Sequence, residues 1–191
     1  MNIVGLLLAA GSASRFGSDK LRHPLLHGVP IALQALRNLK PEVDEVFAVV
    51  KPGDDAALFA AECKTVVCER AAEGMGASLA CAVREAGKRD AYLVALADMP
   101  YIRRTSIAAV RQALEGGAAL VAPYWHARRG HPVGIAGRFQ EQLLALHGDA
   151  GAKSSGSGAP PIERTLLRCG PLPRVRGLSR SSVQCPPTRS L

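Results

Sequence analysis

Short apolar runs alternate with amphipathic segments along most of the chain. The unbroken apolar runs are typical of strands that are buried on both faces of a sheet. They predict strands over residues 3–9, 46–50, 65–68, 91–97 and 118–122. The segments between them place apolar residues at helical spacing and predict helices over residues 31–39, 55–62, 78–86 and 105–114. Residues 131–136 and 139–146 are candidates for one more strand and one more helix.

This alternation of strands and helices restricts the fold. Parallel strands joined through helices cross over with right-handed geometry, and the helices then cover both faces of the sheet. The pattern therefore predicts an α/β fold, a Rossmann-like three-layer α/β/α sandwich with a mainly parallel sheet. At 191 residues and 48% hydrophobic, the chain is long enough to form one such domain with a full core.

The composition changes near residue 153. Residues 154–161 read SSGSGAPP, which is typical of a linker, and residues 171–191 are rich in proline, serine and arginine. Because this region has too few apolar residues to form a core, we expect residues 154–191 to be a disordered tail, with 162–167 as a candidate short strand. We assign residues 1–153 to the folded domain.

The formal charge of +8 is concentrated in the tail. After residue 152 the chain has seven Lys and Arg residues and one Glu, which gives +6 for the tail and leaves +2 for the rest. A domain with so little excess charge and only 4% aromatic residues lacks the basic, aromatic surface typical of nucleic-acid binding. The tail is most simply a solvated end, and the alternative is an arm attracted to RNA or to a membrane surface.

The sequence also bears on compartment and redox state. No apolar run reaches the ~20 residues needed to cross a bilayer, and residues 1–10 lack the basic start and cleavage site of a secretory signal. We therefore expect a cytoplasmic protein with no membrane partner. The five cysteines form no C-x-x-C pair, and no histidine is spaced to complete a zinc site. We expect them to be reduced thiols that serve mainly as packing residues.

Three segments with suitable chemistry follow the ends of predicted strands: residues 11–20, residues 73–78 and Asp98. In an open parallel sheet the carboxyl ends of the strands meet at one edge, and ligands bind there. The sequence therefore predicts that these three segments share one edge of the sheet.

The first segment, GSASRFGSDK, is suited to binding phosphate groups. Its small residues allow the backbone to turn tightly and to direct N–H groups at an anion. These residues are Gly11, Ser12, Ala13 and Ser14. Arg15 and Lys20 add two cations, each worth on the order of 4 kcal/mol to a phosphate at ~4 Å before desolvation is subtracted. The segment is neither a Walker loop nor G-x-G-x-x-G, so by itself it is equally consistent with an ordinary loop.

Asp98 is a single carboxylate placed at the end of the apolar run YLVALADMP, directly before Met99 and Pro100. A lone carboxylate suits Mg²⁺, which takes one or two protein oxygens and completes its shell with water and substrate phosphates. The alternative is a helix N-cap or a turn aspartate.

Five motifs, in order, resemble those of the MobA-like nucleotidyltransferases. They are LAAGSASRFGSDKL at 8–21, GMGASL at 74–79, ADMP at 97–100, GHPV at 130–133 and GDAGAK at 148–153. The resemblance covers residues 1–153 and is closest to the branch that acts on molybdenum cofactor with CTP. It implies transfer of a cytidylyl group from CTP to the phosphate of molybdenum-molybdopterin, forming molybdopterin cytosine dinucleotide and releasing pyrophosphate.

The resemblance implies roles for individual residues. Arg15 and Lys20 would stabilise the charge that builds on the departing pyrophosphate, and Asp98 would hold Mg²⁺ between triphosphate and acceptor. The residues expected to bind the nucleotide are Leu8, Ala9, Ala10, Gly11, Ser12, Ala13, Ser14, Gly74, Met75, Gly76 and Ser78. The nucleophile would be a phosphate oxygen that is already ionised near neutrality, so no catalytic base is required.

Three further residues are candidates for the acceptor side. His131 and Asp149 are expected to face the pterin, and Lys153 to meet an acceptor phosphate. The alternative for His131 and Asp149 is that each braces a loop, since histidine is a frequent structural hydrogen-bonding residue. A recipient molybdoenzyme or its chaperone is a further possible partner implied by the resemblance.

We expect the methyl group of one residue, Ala10, to determine which nucleotide base binds. Relatives that transfer guanylyl groups carry LAGG where this chain has LAAG, so Ala10 adds a methyl group that we expect to narrow the pocket against a purine. Relatives that use sugar phosphates or isoprenoid precursors usually have proline just before the lysine. Asp19 stands there in this chain, which favours the molybdopterin branch.

The tail departs from the family pattern. Relatives continue to a late strand and an acidic D-x-D-T-P-like segment near the metal, and nothing similar follows Asp149 here. An altered reading frame is one hypothesis for the change in composition. The alternatives to an active cytidylyltransferase are therefore a nucleotide-binding but catalytically impaired member, a transferase that uses GTP or another phosphate acceptor, and a basic-tailed nucleic-acid adaptor.

Overall fold

The structure is a computed structural model that describes residues 1–11, 20–53, 56–125 and 128–148. The predicted disordered tail, residues 154–191, lies outside these ranges and stays a prediction. Within them, no helix is both long and apolar enough to cross a membrane.

The described residues form eight strands and five α-helices, which alternate as far as β5. The strands are β1 Ile3–Leu8, β2 Glu45–Val50, β3 Lys64–Val67, β4 Ala91–Leu96, β5 Leu120–Val121, β6 Tyr124–Trp125, β7 Arg128–Arg129 and β8 Val133–Ala136. The helices are α1 Ile31–Leu39, α2 Ala57–Ala60, α3 Met75–Ala86, α4 Arg104–Glu115 and α5 Gln140–Leu144. Each strand and helix predicted within the described residues is therefore present, although some are shorter than predicted, and the candidate strand over 162–167 lies outside the described residues.

Six of the strands form one sheet in the order β3-β2-β1-β4-β8-β5. Neighbours from β3 to β4 are parallel, and β8 runs antiparallel to both β4 and β5. The direction of β8 follows from the segment that joins it to β5. A parallel neighbour would need a crossover helix there, and the chain instead forms the short β6–β7 ribbon. The predicted mainly parallel α/β sandwich is confirmed.

Helices pack on both faces of the sheet. Because successive strand residues point to opposite faces, each inner strand contributes to two cores. Along β1, Ile3 and Leu7 pack into a cluster that includes residues of α1, α2 and α4. Val4 and Leu6 pack into a second cluster, which includes residues of α3 and α5. The unbroken apolar runs in the sequence correspond to these two cores.

The cysteines differ from the expectation of free packing thiols. Cys68, directly after β3, forms a disulfide with Cys81 in α3, with 6.0 Å between their Cα atoms. The expectation was wrong for this pair because the strand and the helix bring two cysteines 13 positions apart in sequence to disulfide distance. Cys63 is free, and burial raises the pKa of its thiol to about 11, so it stays protonated as a packing residue should.

Candidate functional site

The candidate site residues lie at the carboxyl edge of the parallel strands. Gly11 follows β1, the segment 73–78 follows β3 and Asp98 follows β4. The register of β8 against β4, with Val133 opposite Val94, brings His131 to the same edge because β8 runs in the opposite direction. The sheet therefore gathers segments that are far apart in sequence.

Lys20 and Asp98 form an ion pair at this edge. The Lys20 Nζ lies 3.4 Å from the Asp98 Oδ2, although the two residues are 78 positions apart. Lys20 begins a short 3₁₀ turn, Lys20–Arg22, and Asp98 lies in the turn that follows β4. The structure thus brings together the cation and the carboxylate that the sequence selected from separate motifs.

The Lys20–Asp98 pair is open to solvent. The side chains of Lys20 and Asp98 are 38% and 47% exposed. An exposed pair of this kind contributes only about 0–1 kcal/mol to stability, because water screens the charges and the long side chain loses freedom. A ligand can therefore replace this contact, with the Lys20 amine binding an anion and the Asp98 carboxylate binding a cation.

The amino-terminal end of α3 is built around two glycines. Gly74 precedes the helix at φ 129°, a conformation that favours glycine. The N–H of Gly76 donates to the Gly148 carbonyl at 2.9 Å, which places the turn after α5 against the start of α3. Ser78 is only 3% exposed and its hydroxyl donates to the Gly74 carbonyl, while Met75 packs against the α3-side core. The segment thus offers backbone rather than the Ser78 hydroxyl to a ligand.

Gly76→Ala should lower the free energy of unfolding by about 1–3 kcal/mol, the usual cost of overpacking. The added methyl group would lie 2.8 Å from the Gly148 oxygen and 3.2 Å from the His147 oxygen, so the turn must move away. Denaturant unfolding measures the loss. Gly11→Ala is the matched control, since a methyl group there meets no heavy atom within 4 Å. Equal stability for the two variants would contradict the proposed close packing.

The end of β1 combines a buried strand with an open glycine. Leu8, Ala9 and Ala10 are 7%, 3% and 4% exposed, so in this state they present little side-chain surface. Ala9 belongs to the core on the α1 and α4 side, and Ala10 to the core on the α3 and α5 side. Gly11 is exposed, with open space around it. A ligand at this point would meet the backbone after Ala10.

His131 is largely buried at the same edge of the sheet as Asp98. Burial lowers the pKa of its imidazole, and the smaller effects include a hydrogen bond to the Val94 carbonyl and the charges of Arg129 and Asp98. The ring is therefore neutral at pH 7. Its buried Nδ1 has no partner, so one polar atom near the site is left unsatisfied.

Six of the predicted site residues lie outside the described ranges: Ser12, Ala13, Ser14, Arg15, Asp149 and Lys153. Their roles stay predictions. Among the described residues, no three His, Cys, Asp or Glu side chains converge as a ready-made metal site.

One residue at the site was missed in the sequence. The Asn38 amide on α1 donates to the carbonyls of Pro100 and Ile102, in the loop that carries Asp98. The available signal was weak: Gln34 and Asn38 lie four positions apart, on one face of an otherwise mostly apolar helix.

Comparison with known proteins yields a family match over most of the chain. The family described as MobA-like NTP transferase domain matches residues 5–160. A protein of Burkholderia ambifaria (strain MC40-6) named molybdenum cofactor guanylyltransferase is 39% identical over 128 residues, which are 63% of this chain. The match spans 60% of the length of that relative.

Solved structures share the fold. The crystal structure of Rv0371c from Mycobacterium tuberculosis H37Rv superposes with a TM-score of 0.68 at 24% identity, covering 79% of each chain. A structure of Rv0371c in complex with manganese superposes with a TM-score of 0.65 at 21% identity, again covering 79% of each chain. At this level of identity the superpositions establish the common architecture.

Proposed function

Since the chain belongs to the MobA-like NTP transferase domain family, we propose that it transfers a cytidylyl group from CTP to the phosphate of molybdenum-molybdopterin in the cytoplasm. The reaction forms a bond between an acceptor phosphate oxygen and the α-phosphorus of CTP. It breaks the bond from that phosphorus to the bridging oxygen, and pyrophosphate leaves with the electron pair. Acceptor-dependent release of pyrophosphate is the direct test.

The observation that carries the proposal is the Lys20–Asp98 pair. A nucleotidyl transfer needs positive charge where pyrophosphate departs and an anchor for the divalent cation that accompanies a triphosphate. The Lys20 Nζ, in the 3₁₀ turn Lys20–Arg22, and the Asp98 Oδ2, in the turn after β4, lie 3.4 Å apart, and both side chains are exposed to solvent. Because the pair is weak in water, a triphosphate with its cation can replace both halves of it.

The residues present fit Mg²⁺. Asp98 offers one accessible carboxylate, the hard oxygen ligand that this ion takes when most of its shell comes from water and phosphates. When bound, the ion would supply charge neutralisation on the phosphate oxygens. Lys20, and Arg15 from the adjacent segment, would stabilise the leaving pyrophosphate. The amides from Gly11 to Ser14 would hold the phosphates in place.

The remaining site residues divide between nucleotide and acceptor. Gly74 and Gly76, at the start of α3, would close over the base and ribose, with Met75 and Ser78 shaping that segment from the core side. His131 would face the acceptor with a neutral ring; because its unsatisfied Nδ1 is buried, that atom could bind the acceptor only after the ring or a neighbouring residue moves. Asp149 and Lys153 complete the acceptor side. A recipient molybdoenzyme or its chaperone would take the product.

Two observations bear on which nucleotide the protein uses, and they favour different bases. Ala10 follows β1 and belongs to the core cluster that includes residues of α3, and its methyl group would narrow the space for a purine base. That supports CTP. The name of the Burkholderia relative, a guanylyltransferase, supports GTP as the second candidate. Competition between the two nucleotides decides between them.

Ala10→Gly should lower the preference for CTP over GTP by roughly 10-fold, because one methyl group in a base pocket is worth about 10- to 200-fold in discrimination. The ratio of kcat/KM values for the two nucleotides measures it. Ala9→Gly is the matched control, since it removes an equally buried methyl group that points to the opposite core. A wild-type preference for GTP, or a ratio unchanged by Ala10→Gly, would refute the role of this methyl group.

A further inference from the structure

Asn38 lies in the last turn of α1 and connects this helix to the loop between β4 and α4. Its Nδ2 donates to the Pro100 carbonyl at 2.8 Å and to the Ile102 carbonyl at 3.2 Å. Both hydrogen bonds are partly buried. One amide group therefore satisfies two backbone acceptors of a loop that has no helix or strand of its own.

The Asn38 amide is itself oriented. The Gln34 Nε2 donates to the Asn38 Oδ1 at 2.9 Å, one turn earlier on α1. With its oxygen engaged there, the Asn38 side chain directs both N–H donors at the loop. The Gln34–Asn38 pair thus forms a short hydrogen-bonded chain that ends on the carbonyls of Pro100 and Ile102.

This loop holds Asp98 between two anchors. On the β4 side, the Ala97 N–H donates to the Leu8 carbonyl at 3.0 Å, and the Met99 N–H to the Leu96 carbonyl at 3.3 Å. On the α4 side, Asn38 is the anchor. The exposed Lys20–Asp98 contact is too weak to fix the carboxylate alone. The position of Asp98 therefore depends on how firmly the loop is held at both ends.

The same helix also holds the segment that carries Lys20. The Ile31 N–H at the start of α1 donates to the His23 carbonyl at 3.1 Å, and the His23 N–H donates to the Lys20 carbonyl at 3.2 Å. α1 therefore supports the cation through its first turn and the carboxylate through its last.

We propose that Asn38 is a positioning residue that sets the placement of Asp98 opposite Lys20, acting through the Pro100 and Ile102 carbonyls. The proposal rests on the proposed function, in which Asp98 binds the cation of the nucleotide complex. An amide is required because it presents two donors at once. Leucine of similar size has none, and an aspartate would turn carboxylate oxygens toward two carbonyl oxygens.

Asn38→Leu and Asn38→Asp should lower kcat by about 10- to 100-fold, the cost of misplacing a reacting group by about 1 Å. KM for the nucleotide should change by less than about threefold, since the phosphate-binding segment after β1 is untouched. Amide hydrogen exchange in residues 97–102 should become faster, and Mn²⁺ binding measured by electron paramagnetic resonance should weaken. Arg37→Gln is the matched control, because Arg37 neighbours Asn38 on α1 and, within the described ranges, its side chain pairs with Glu62 rather than with the loop that carries Asp98.

A double-mutant cycle separates positioning from general damage. If Asn38 acts through Asp98, adding Asn38→Leu to Asp98→Asn should change the residual turnover by less than about twofold. If the double variant loses turnover by the product of the two single losses, the proposal is overturned. It is also overturned if Arg37→Gln lowers kcat as much as Asn38→Leu does.

Failure of the proposed function would be recognised separately. If the wild-type chain releases no pyrophosphate, the proposed transfer reaction is wrong, and Asn38 is then judged by hydrogen exchange and Mn²⁺ binding alone. Faster exchange in residues 97–102 with weaker Mn²⁺ binding would support Asn38 as the residue that holds this loop. Unchanged values for both would overturn it.

Discussion

Asp98→Asn should lower the rate of nucleotidyl transfer by about 10³-fold, with the fold intact. The amide keeps the size of the side chain but removes the negative charge that anchors the divalent cation on the triphosphate. The Asp98 side chain is 47% exposed and pairs with the exposed Lys20, so in the part of the chain that the structure describes the substitution leaves no buried hydrogen-bond partner of Asp98 unsatisfied. Pyrophosphate release measures turnover, and thermal unfolding measures stability.

Glu85→Gln is the control for Asp98→Asn, because it neutralises an exposed carboxylate on α3. It should retain turnover within about twofold, as surface substitutions usually do. Turnover by Asp98→Asn within tenfold of the wild type would show that the cation is anchored elsewhere.

Lys20→Met should lower turnover without weakening the binding of Mn²⁺ to the free protein. Turnover should fall by about 10²-fold, because the leaving pyrophosphate loses a positive charge that matters most as the bond breaks. Binding of Mn²⁺ to the free protein should be unchanged or tighter, because the Lys20 amine no longer occupies the Asp98 Oδ2 or repels the cation. Electron paramagnetic resonance titration and steady-state kinetics provide the two values.

Lys88→Met, at an exposed lysine just after α3, is the control for Lys20→Met. It should leave both values unchanged. Weaker Mn²⁺ binding in Lys20→Met would mean that the lysine supports the cation site, contrary to the exchange of partners described above.

Much of the fold was predictable because local pattern and tertiary packing agree. The helix predicted over residues 31–39 is α1, and the apolar run at 3–9 is β1, which ends one residue earlier. The rule that ligand sites form at the carboxyl ends of parallel strands placed Lys20 and Asp98 at one edge, where they form an ion pair.

The remaining features depend on partners distant in sequence. The antiparallel direction of β8 is set by the β6–β7 ribbon, whose two-residue strands give too short a pattern to recognise. α3 begins at Met75, three residues before the prediction, because the Gly76 N–H is satisfied by the Gly148 carbonyl. Asn38 reads as an ordinary polar residue until the loop it holds is folded beside it.

The central claim is that the carboxyl edge of this sheet transfers a nucleotidyl group with Lys20 and Asp98. The most direct test is pyrophosphate release by the full chain from CTP and Mg²⁺, with and without molybdenum cofactor, alongside the same assay with GTP. We predict release that requires the cofactor, favours CTP and falls about 10³-fold in Asp98→Asn. Absence of release with either nucleotide, or release that is equal in Asp98→Asn, would contradict the claim.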